Sequence, residues 1–505
     1  MRTSKVMSES ELRLLWEESR FEDLPLHTTD GKPIQILYPG SPNADSGPDF
    51  LRASIRVGGT LYSGDVEIHI DAASWYGHGH HTDPHYNRVI LHVALKSGST
   101  EEPARTRSNR RIPLLVLSDL PGFPHLGPRR LTTGTGWAML PCRRWNAALP
   151  RGNIGWWIRR LSRERLSEKT ARFSARLNEL ADEQQPGRYG RDDLERTWRE
   201  LAVKGAWDQL LYEGIMECLG YSKNRRPMLR LARGMRLEVL RRAGLDNRHA
   251  MESMLLGAAG LLPSSRGLLQ KEARVYVRCL RRAWKKLRSG YRGPVLHEAE
   301  WLFFRLRPAN FPTARLAALA ALLPILFDGG FWRLVEVMHA DGSTPRMQLR
   351  TVAALFTIHP EGFWCTHLHF RSAPHRGPAN APPERGAART IRRARRKGVS
   401  LGRKRVLDII VNAIIPLLFL YARLFEDRLT CRRVFRLYAA LPLLQENTIT
   451  RRMRRNLIPV RGGRDQQGML QLHARYCTRN RCAECVLGPF GEIGPRGGAA
   501  GDTDD

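Results

Sequence analysis

The hydrophobic period changes once along this chain, and that change limits what it can fold into. Up to about residue 120, apolar residues alternate with polar ones in short runs; from about 150 to 475 they recur at helical spacing over long stretches. One element cannot satisfy both periods, so the chain reads as α+β. A small mixed α/β domain over residues 1–120 is followed by a large all-helical body. At 505 residues the chain also exceeds what one ordinary core supports.

In the first part, residues 8–20 (SESELRLLWEESR) read as an amphipathic helix capped by Ser8. Leu12, Leu15 and Trp16 form its stripe, and Glu9 lies on the same side. Strands are predicted at 34–38, 49–57, 60–70 and 88–95, with a fifth at 112–117; Pro39-Gly40, Gly58-Gly59 and the Gly/His-rich loop 77–85 supply turns. Helices are predicted at 155–180, 192–219, 267–287 and 313–327. The body divides into a helical domain over 150–370, a basic flexible linker over 371–405 and a helical C-terminal segment over 406–488. Residues 489–505 read as a disordered tail.

The densest chemistry lies between residues 43 and 92. Glu67 and His69 sit in the run Val66-Glu67-Ile68-His69-Ile70, where a period of two puts them on one face and the aliphatic residues on the other. If the two strands pair through Gly58-Gly59, Asp49 becomes a cross-strand neighbour of Glu67. Two carboxylates and an imidazole then converge, a set that holds Mg²⁺ or Mn²⁺ while the third group orients or deprotonates the attacking water. The loop His78-Gly79-His80-His81-Thr82-Asp83-Pro84-His85, flanked by His69 and His92 on strands, offers a second arrangement. It suits a His/carboxylate metal site and a metalloenzyme acting on a small molecule through His69, His78, His80 and His92.

Two clusters stand out in the helical half. Arg305 and Arg307 precede Pro308 and Pro312, placed either to bind phosphates or to hold carbonyls in a helix–helix corner. Cys477-x4-Cys482-x2-Cys485 has the spacing of a Zn²⁺ or iron–sulfur site, with His473 one helical turn upstream as fourth ligand. Such a metal would pin the C-terminal segment onto the helical domain; reduced, partly buried thiols are the other reading.

Lys and Arg number 82 against 49 Asp and Glu, a formal charge of +33 that points to a polyanionic partner, here nucleic acid. Only 11 of the 82 are Lys, so an Arg-rich composition from GC-rich coding accounts for the same excess without a partner. The N-terminal MRTSKVMSESELRLLW lacks the sustained apolar segment and cleavage site of a secretory signal. The apolar runs 316–327 and 409–421 are too short to span a bilayer, and the second, with Asn412 and Pro416, reads as a buried helix. Eight mostly scattered cysteines suit a reducing compartment. A cytoplasmic protein without a membrane partner is expected.

Pro48-Asp49 and Glu67-Ile68-His69 resemble the two halves of the PD-(D/E)XK nuclease pattern, with His where that pattern has Lys. The predicted order helix–strand–strand–strand–(helix)–strand resembles that superfamily's core. The resemblance implies a metal-dependent phosphodiesterase acting on nucleic acid. In it Asp49 and Glu67 are metal ligands, Glu9 stands for the acid of the first helix and His69 acts on water. Lys is a fixed cation, whereas His is charged only below about 6.5. A non-catalytic nucleic-acid-binding or assembly protein with a vestigial site is the rival reading.

Longer stretches carry a second resemblance. LLWEESRFEDLPLHTTDGKPIQILYPGSPNADSGPDF, GDVEIH, HGHHTDPHYNRVILHV, LLYEGIMECLGYSKNRRP, RLRPANFPTARLAALA, ENTITRRM, QQGMLQLHARYC and RCAEC are similar to a bacterial family, domain of unknown function 2851. Residues 371–395 look like an insertion in that pattern. The family implies no established activity.

Overall fold

Ser8 and Glu11 start the first helix by exchanging hydrogen bonds. The Ser8 N–H donates to Glu11 Oε2 at 2.8 Å and the Glu11 N–H to Ser8 Oγ at 3.3 Å. Helix α1 (Glu9–Glu17) buries Leu12, Leu15 and Trp16, and the Trp16 indole N–H donates to Pro39 O at 3.0 Å. This stripe packs with Phe50, Ile55, Val66, Ile68 and Val93 in the core of the sheet. The structure is a computed structural model that describes residues 7–17, 24–43, 46–98, 103–121, 142, 149–184, 204–244, 247–304, 306–358, 361–371, 399–455, 458–479 and 481–488.

The sheet has six strands: β1 (Ile34–Tyr38), β2 (Ser41–Pro42), β3 (Phe50–Val57), β4 (Thr60–Asp71), β5 (Val89–Lys96) and β6 (Leu114–Val116). Their order is β1-β3-β4-β5-β6, with β2 paired to β3. The pairs β1–β3, β2–β3 and β3–β4 are antiparallel, whereas β4–β5 and β5–β6 are parallel. Gly58 and Gly59, both at positive φ, close the β3–β4 hairpin. A parallel pair needs a crossover, and the one from β4 to β5 carries the short helix α2 (Ser74–Gly77) and a 3₁₀ turn at Pro84–Arg88.

Besides a register shift between Ile36 and Tyr38 in the β1–β3 pair, two irregularities lie close to the site. The β3–β4 register shifts between Phe50 and Ala53, and the β4–β5 register between Asp65 and Val66. At the first, Arg52 takes φ 59°, a strained value for a side-chain-bearing residue, and its N–H donates to Asp65 Oδ1 at 2.9 Å. Such a bulge bends its strand and re-aims the residues beside it, here the start of β3 and Asp49 immediately before it.

Two compact units divide the chain. The first comprises residues 1–164, 446–461 and 465–500, the second residues 165–445 with 462–464 and 501–505. Helices of the second, among them Lys204–Leu219, Arg248–Ala258, Pro312–Phe327 and Gly330–His339, enclose a core around Trp207, Tyr212, Ile215, Leu319, Phe331 and Ile414. The buried helix expected at 409–421 is part of a longer one, Arg403–Leu424, with a π turn at Ile410–Ile414. Asn412 in that turn accepts from the Lys169 ammonium at 2.8 Å, and full burial drives the Lys169 pKa well down. Among the described residues this helix is long and apolar enough to cross a membrane, unlike the shorter apolar run inside it. However, 83% of its most apolar window is buried within the protein, the disposition of a core helix. The bent pair Pro312–Phe327 and Gly330–His339, angled by 64°, passes the same test only as one broken span.

The C-terminal segment departs from expectation: residues 446–461 and 465–488 belong to the first unit, not to the helical body. Close packing decides this. Gly468 lies against Ile158, where a Cβ would come within 2.1 Å of the Ile158 carbonyl oxygen, and the Arg452 guanidinium lies over the Tyr38 ring at 5.0 Å. The predicted helix 192–219 is observed as Lys204–Leu219, its beginning lying outside the described residues. The flexible segment expected within the linker, 372–398, and the tail 489–505 also lie outside them.

Gly64 makes the β4–β5 approach possible, since a Cβ there would lie 2.4 Å from both Arg88 O and Ile90 Cγ2. Gly64→Ala is expected to lower stability by about 1–3 kcal/mol, as overpacking does. Gly77→Ala, with nothing within 4 Å of its new methyl, should be near neutral. Thermal melts of the two variants compare them; equal melting temperatures would contradict this packing.

Candidate metal centre

The alternation in β4 resolves as the sequence suggests: Val66 and Ile68 enter the sheet core, and Glu67 and His69 take the opposite face. That face is also buried. The β4–β5 crossover roofs it with Trp75, Tyr86 and His80, and Glu67 stands beside His92 across the parallel pair. The Tyr86 ring stacks on His80 at 3.9 Å between centroids, while Trp75 packs edge-on to His80 and donates its indole N–H to Arg105 O at 2.9 Å.

Asp49 and Glu67 are locked by each other's backbone. The Asp49 N–H donates to Glu67 Oε2 at 2.9 Å, and the Ile68 N–H donates to Asp49 Oδ2 at 3.1 Å. The free Glu67 oxygen, Oε1, lies 3.3 Å from His80 Nε2 and 3.6 Å from His69 Nε2, and these two ring nitrogens are 3.3 Å apart. His69 Nδ1 shares a proton with His92 Nε2 at 2.9 Å, so its Nε2 is the nitrogen turned to the carboxylate. Donor atoms of His69, His78 and His80 all lie within 4.8 Å of one another, with His78 the exposed member. Arg13 of α1 pairs with Asp49 and, at 3.0 Å, with Glu9.

Burial sets the electrostatics. It raises Asp49 to about 7, helped by the Glu67 charge and opposed by Arg13, and it raises Glu67 to about 8. It lowers His69 to about 2, with His92, His80 and His78 adding to the effect, and lowers His92 to about 3. His69 and His92 are therefore neutral, as metal ligands must be, and the two carboxyls are crowded out of water. Mixed imidazole and carboxylate donors suit Mn²⁺, Fe²⁺ or Zn²⁺ better than Mg²⁺.

The remaining candidates fall as follows. Glu9 reaches the carboxylates only through Arg13. His85 is held by Asp83, the cap of the 3₁₀ turn, at 2.8 Å and faces solvent, and His81 packs on Tyr76. Arg305 lies outside the described residues, and Arg307 is exposed. The corner beside it is held instead by buried Arg315, which donates to Asn310 Oδ1 at 2.7 Å and Ser400 O at 3.2 Å. Cys477, Cys482 and Cys485 lie in the first unit. His473, their expected companion, instead meets the Tyr38 hydroxyl at 3.0 Å. Arg13, Trp75 and Tyr86 escaped the sequence reading; the spacing of Arg13 one helical turn after Glu9 was the signal for the first.

A family model described as a protein of unknown function (DUF2851) matches residues 9–189 and 192–381. The chain belongs to this family. The matched span of DUF2851 contains every residue of the centre from Glu9 to His92, and it ends before the three C-terminal cysteines. Comparison with curated proteins and with solved structures gave no match.

The raised carboxyls make a pH test. Their folded pKa values exceed the unfolded ones of about 4, so the metal-free fold binds protons more tightly and loses that stabilisation as pH rises towards 8. His69 and His92, depressed when folded, destabilise only below about 6.5 and leave the range above it to the carboxyls. In EDTA, the melting temperature should fall between pH 6.5 and 8, and Mn²⁺ should restore it most at pH 8. A profile unchanged by Glu67→Gln would remove these groups as the cause.

Proposed function

We propose that this chain is a metal-dependent, nuclease-like phosphodiesterase acting on nucleic acid. One observation carries the reading: Glu67, His69 and His80 meet at one buried point, with Asp49 locked to the Glu67 strand beside it and Arg13 on Asp49. The strand order supports it as well. A helix, a run of antiparallel strands, a short helix and a further strand resemble the element order of the PD-(D/E)XK core. A polyanionic substrate also fits the charge of +33.

Glu67, His69 and His80 would hold the ion, with Asp49 and His78 at its edge. Bound there, a divalent ion would polarise the phosphoryl group and acidify a water. His69 acts as a ligand in this reading and not as the base, since Nδ1 is taken by His92 and Nε2 faces Glu67. The fixed positive charge that Lys supplies in the nuclease pattern falls to Arg13, which is placed to meet a phosphate oxygen once the ion has claimed Asp49. His92 orients His69 from behind.

Cleavage of DNA and RNA panels should depend on Mn²⁺ more than on Mg²⁺. Asp49→Asn and Glu67→Gln should each lower the rate by more than roughly 100-fold, and His92→Ala, in a supporting position, by roughly 10–100-fold. Folding, checked by circular dichroism, should survive the amide changes. An intact wild-type chain that cleaves nothing with either ion, yet binds nucleic acid, leaves the non-catalytic binding protein as the better account.

Binding should weaken steeply from 50 to 200 mM salt, as phosphate contacts demand. Absence of binding at low salt would instead assign the arginine excess to composition alone.

A further inference from the structure

Four of the eight cysteines lie in the first unit, and they gather at one core. Cys477 opens the 3₁₀ turn Cys477–Arg479 and Cys482 the turn Cys482–Glu484, and buried Cys485 follows. The fourth is Cys142, more than half the chain away in sequence. It packs on the cluster of Ile154, Trp157, Met469 and Leu487 that contains Cys485 and borders Cys477.

We infer that Cys142 completes a four-thiolate metal centre with Cys477, Cys482 and Cys485. Three thiols at this spacing leave a tetrahedral or cluster site one ligand short. His473 does not fill the place: its Nε2 meets the Tyr38 hydroxyl. The local backbone is wound for a metal knuckle. The Cys485 N–H donates to Cys482 O at 3.3 Å and the Gly488 N–H to Cys485 O at 2.8 Å. A Cβ at Gly488 would come within 1.7 Å of Cys482 O, so only glycine lets the chain wrap this tightly.

The Trp157 indole N–H, buried in the same core, meets no hydrogen-bond acceptor. Cys485 is buried, and Cys142, Cys477 and Cys482 are half-buried around it. None of the four is in a disulfide. The cysteines are not among the donor groups already closed to within 4.8 Å. Binding therefore either draws them in by side-chain rotation around one Zn²⁺ or leaves them spread around an iron–sulfur cluster. Both would clamp the C-terminal turns and the chain at residue 142 onto one core. The centre is separate from the histidine–carboxylate site and independent of its function.

The test uses the full chain, purified anaerobically without a metal-affinity column. Zinc, iron and acid-labile sulfide are measured, with absorbance in the visible. About one zinc per chain supports the centre in its mononuclear form, and iron with matching sulfide and a broad visible band supports it as a cluster. Cys142→Ser and Cys477→Ser should each cut the metal content by roughly tenfold, while Cys279→Ser, an exposed thiol in the second unit, should leave it intact. Cys142→His should recover zinc. Should the serine variants fail to fold, alkylation of the wild-type chain decides: all four thiols should be protected together and released together by a chelator. A metal-free wild type, full metal in Cys142→Ser, or a Cys142 that alkylates freely while the other three are protected would overturn the inference.

Discussion

Asp49 and Glu67 each accept a backbone N–H from the other's strand, so the two acids hold β3 and β4 in register at the cost of facing each other out of water. Much of the first unit follows from containing that cost. Arg13 reaches in from α1 to offset the charge, while the bulge at Arg52 distorts the neighbouring stretch of β3. The crossover between β4 and β5 is folded down as an aromatic roof, which seals the acids from solvent and strengthens whatever acts on them. In the proposed reading, a bound cation would relieve the repulsion that protons otherwise offset.

Most of the strand framework was legible because period-two alternation reports directly on which way a side chain points. The run 66–70 was enough to assign Glu67 and His69 to one face, and Gly58-Gly59 was enough to pair that strand with the one holding Asp49. What covers the polar face was not legible. Trp75 and Tyr86 come from a loop whose local pattern says nothing about where it folds, and a surface His cluster looks the same whether it is roofed or free. The fourth ligand proposed for the cysteine cluster was out of reach of the sequence for a related reason. His473 is close in sequence, and proximity along a helix is visible; Cys142 is distant, and only tertiary packing brings it near.

Composition proved a blunt guide to the arginines. Several are structural: Arg176 is buried against Glu213 at 3.0 Å, Arg315 braces a turn, and Arg452 covers Tyr38. Net charge counts such groups equally with those that face a ligand, which is why +33 alone does not separate a phosphate grip from an arginine-rich interior. The two donor sets are easier to tell apart. Carboxylates with imidazoles and thiolates with thiolates select different metals, so the two proposed centres would not compete for one ion.

The first unit is assembled from both ends of the chain: its sheet closes by Val116, while the helix Gly463–Arg475 and the cysteine turns that belong to the same unit come last. A ribosome adding about 5–20 residues per second needs on the order of tens of seconds to make what lies between. During that interval the Tyr38 hydroxyl lacks His473 and Ile158 lacks the Gly468 backbone that packs on it. The earliest part of the protein to be synthesised is thus the last to be finished. A nascent or truncated chain would present a half-covered sheet to chaperones and proteases until its final residues arrive.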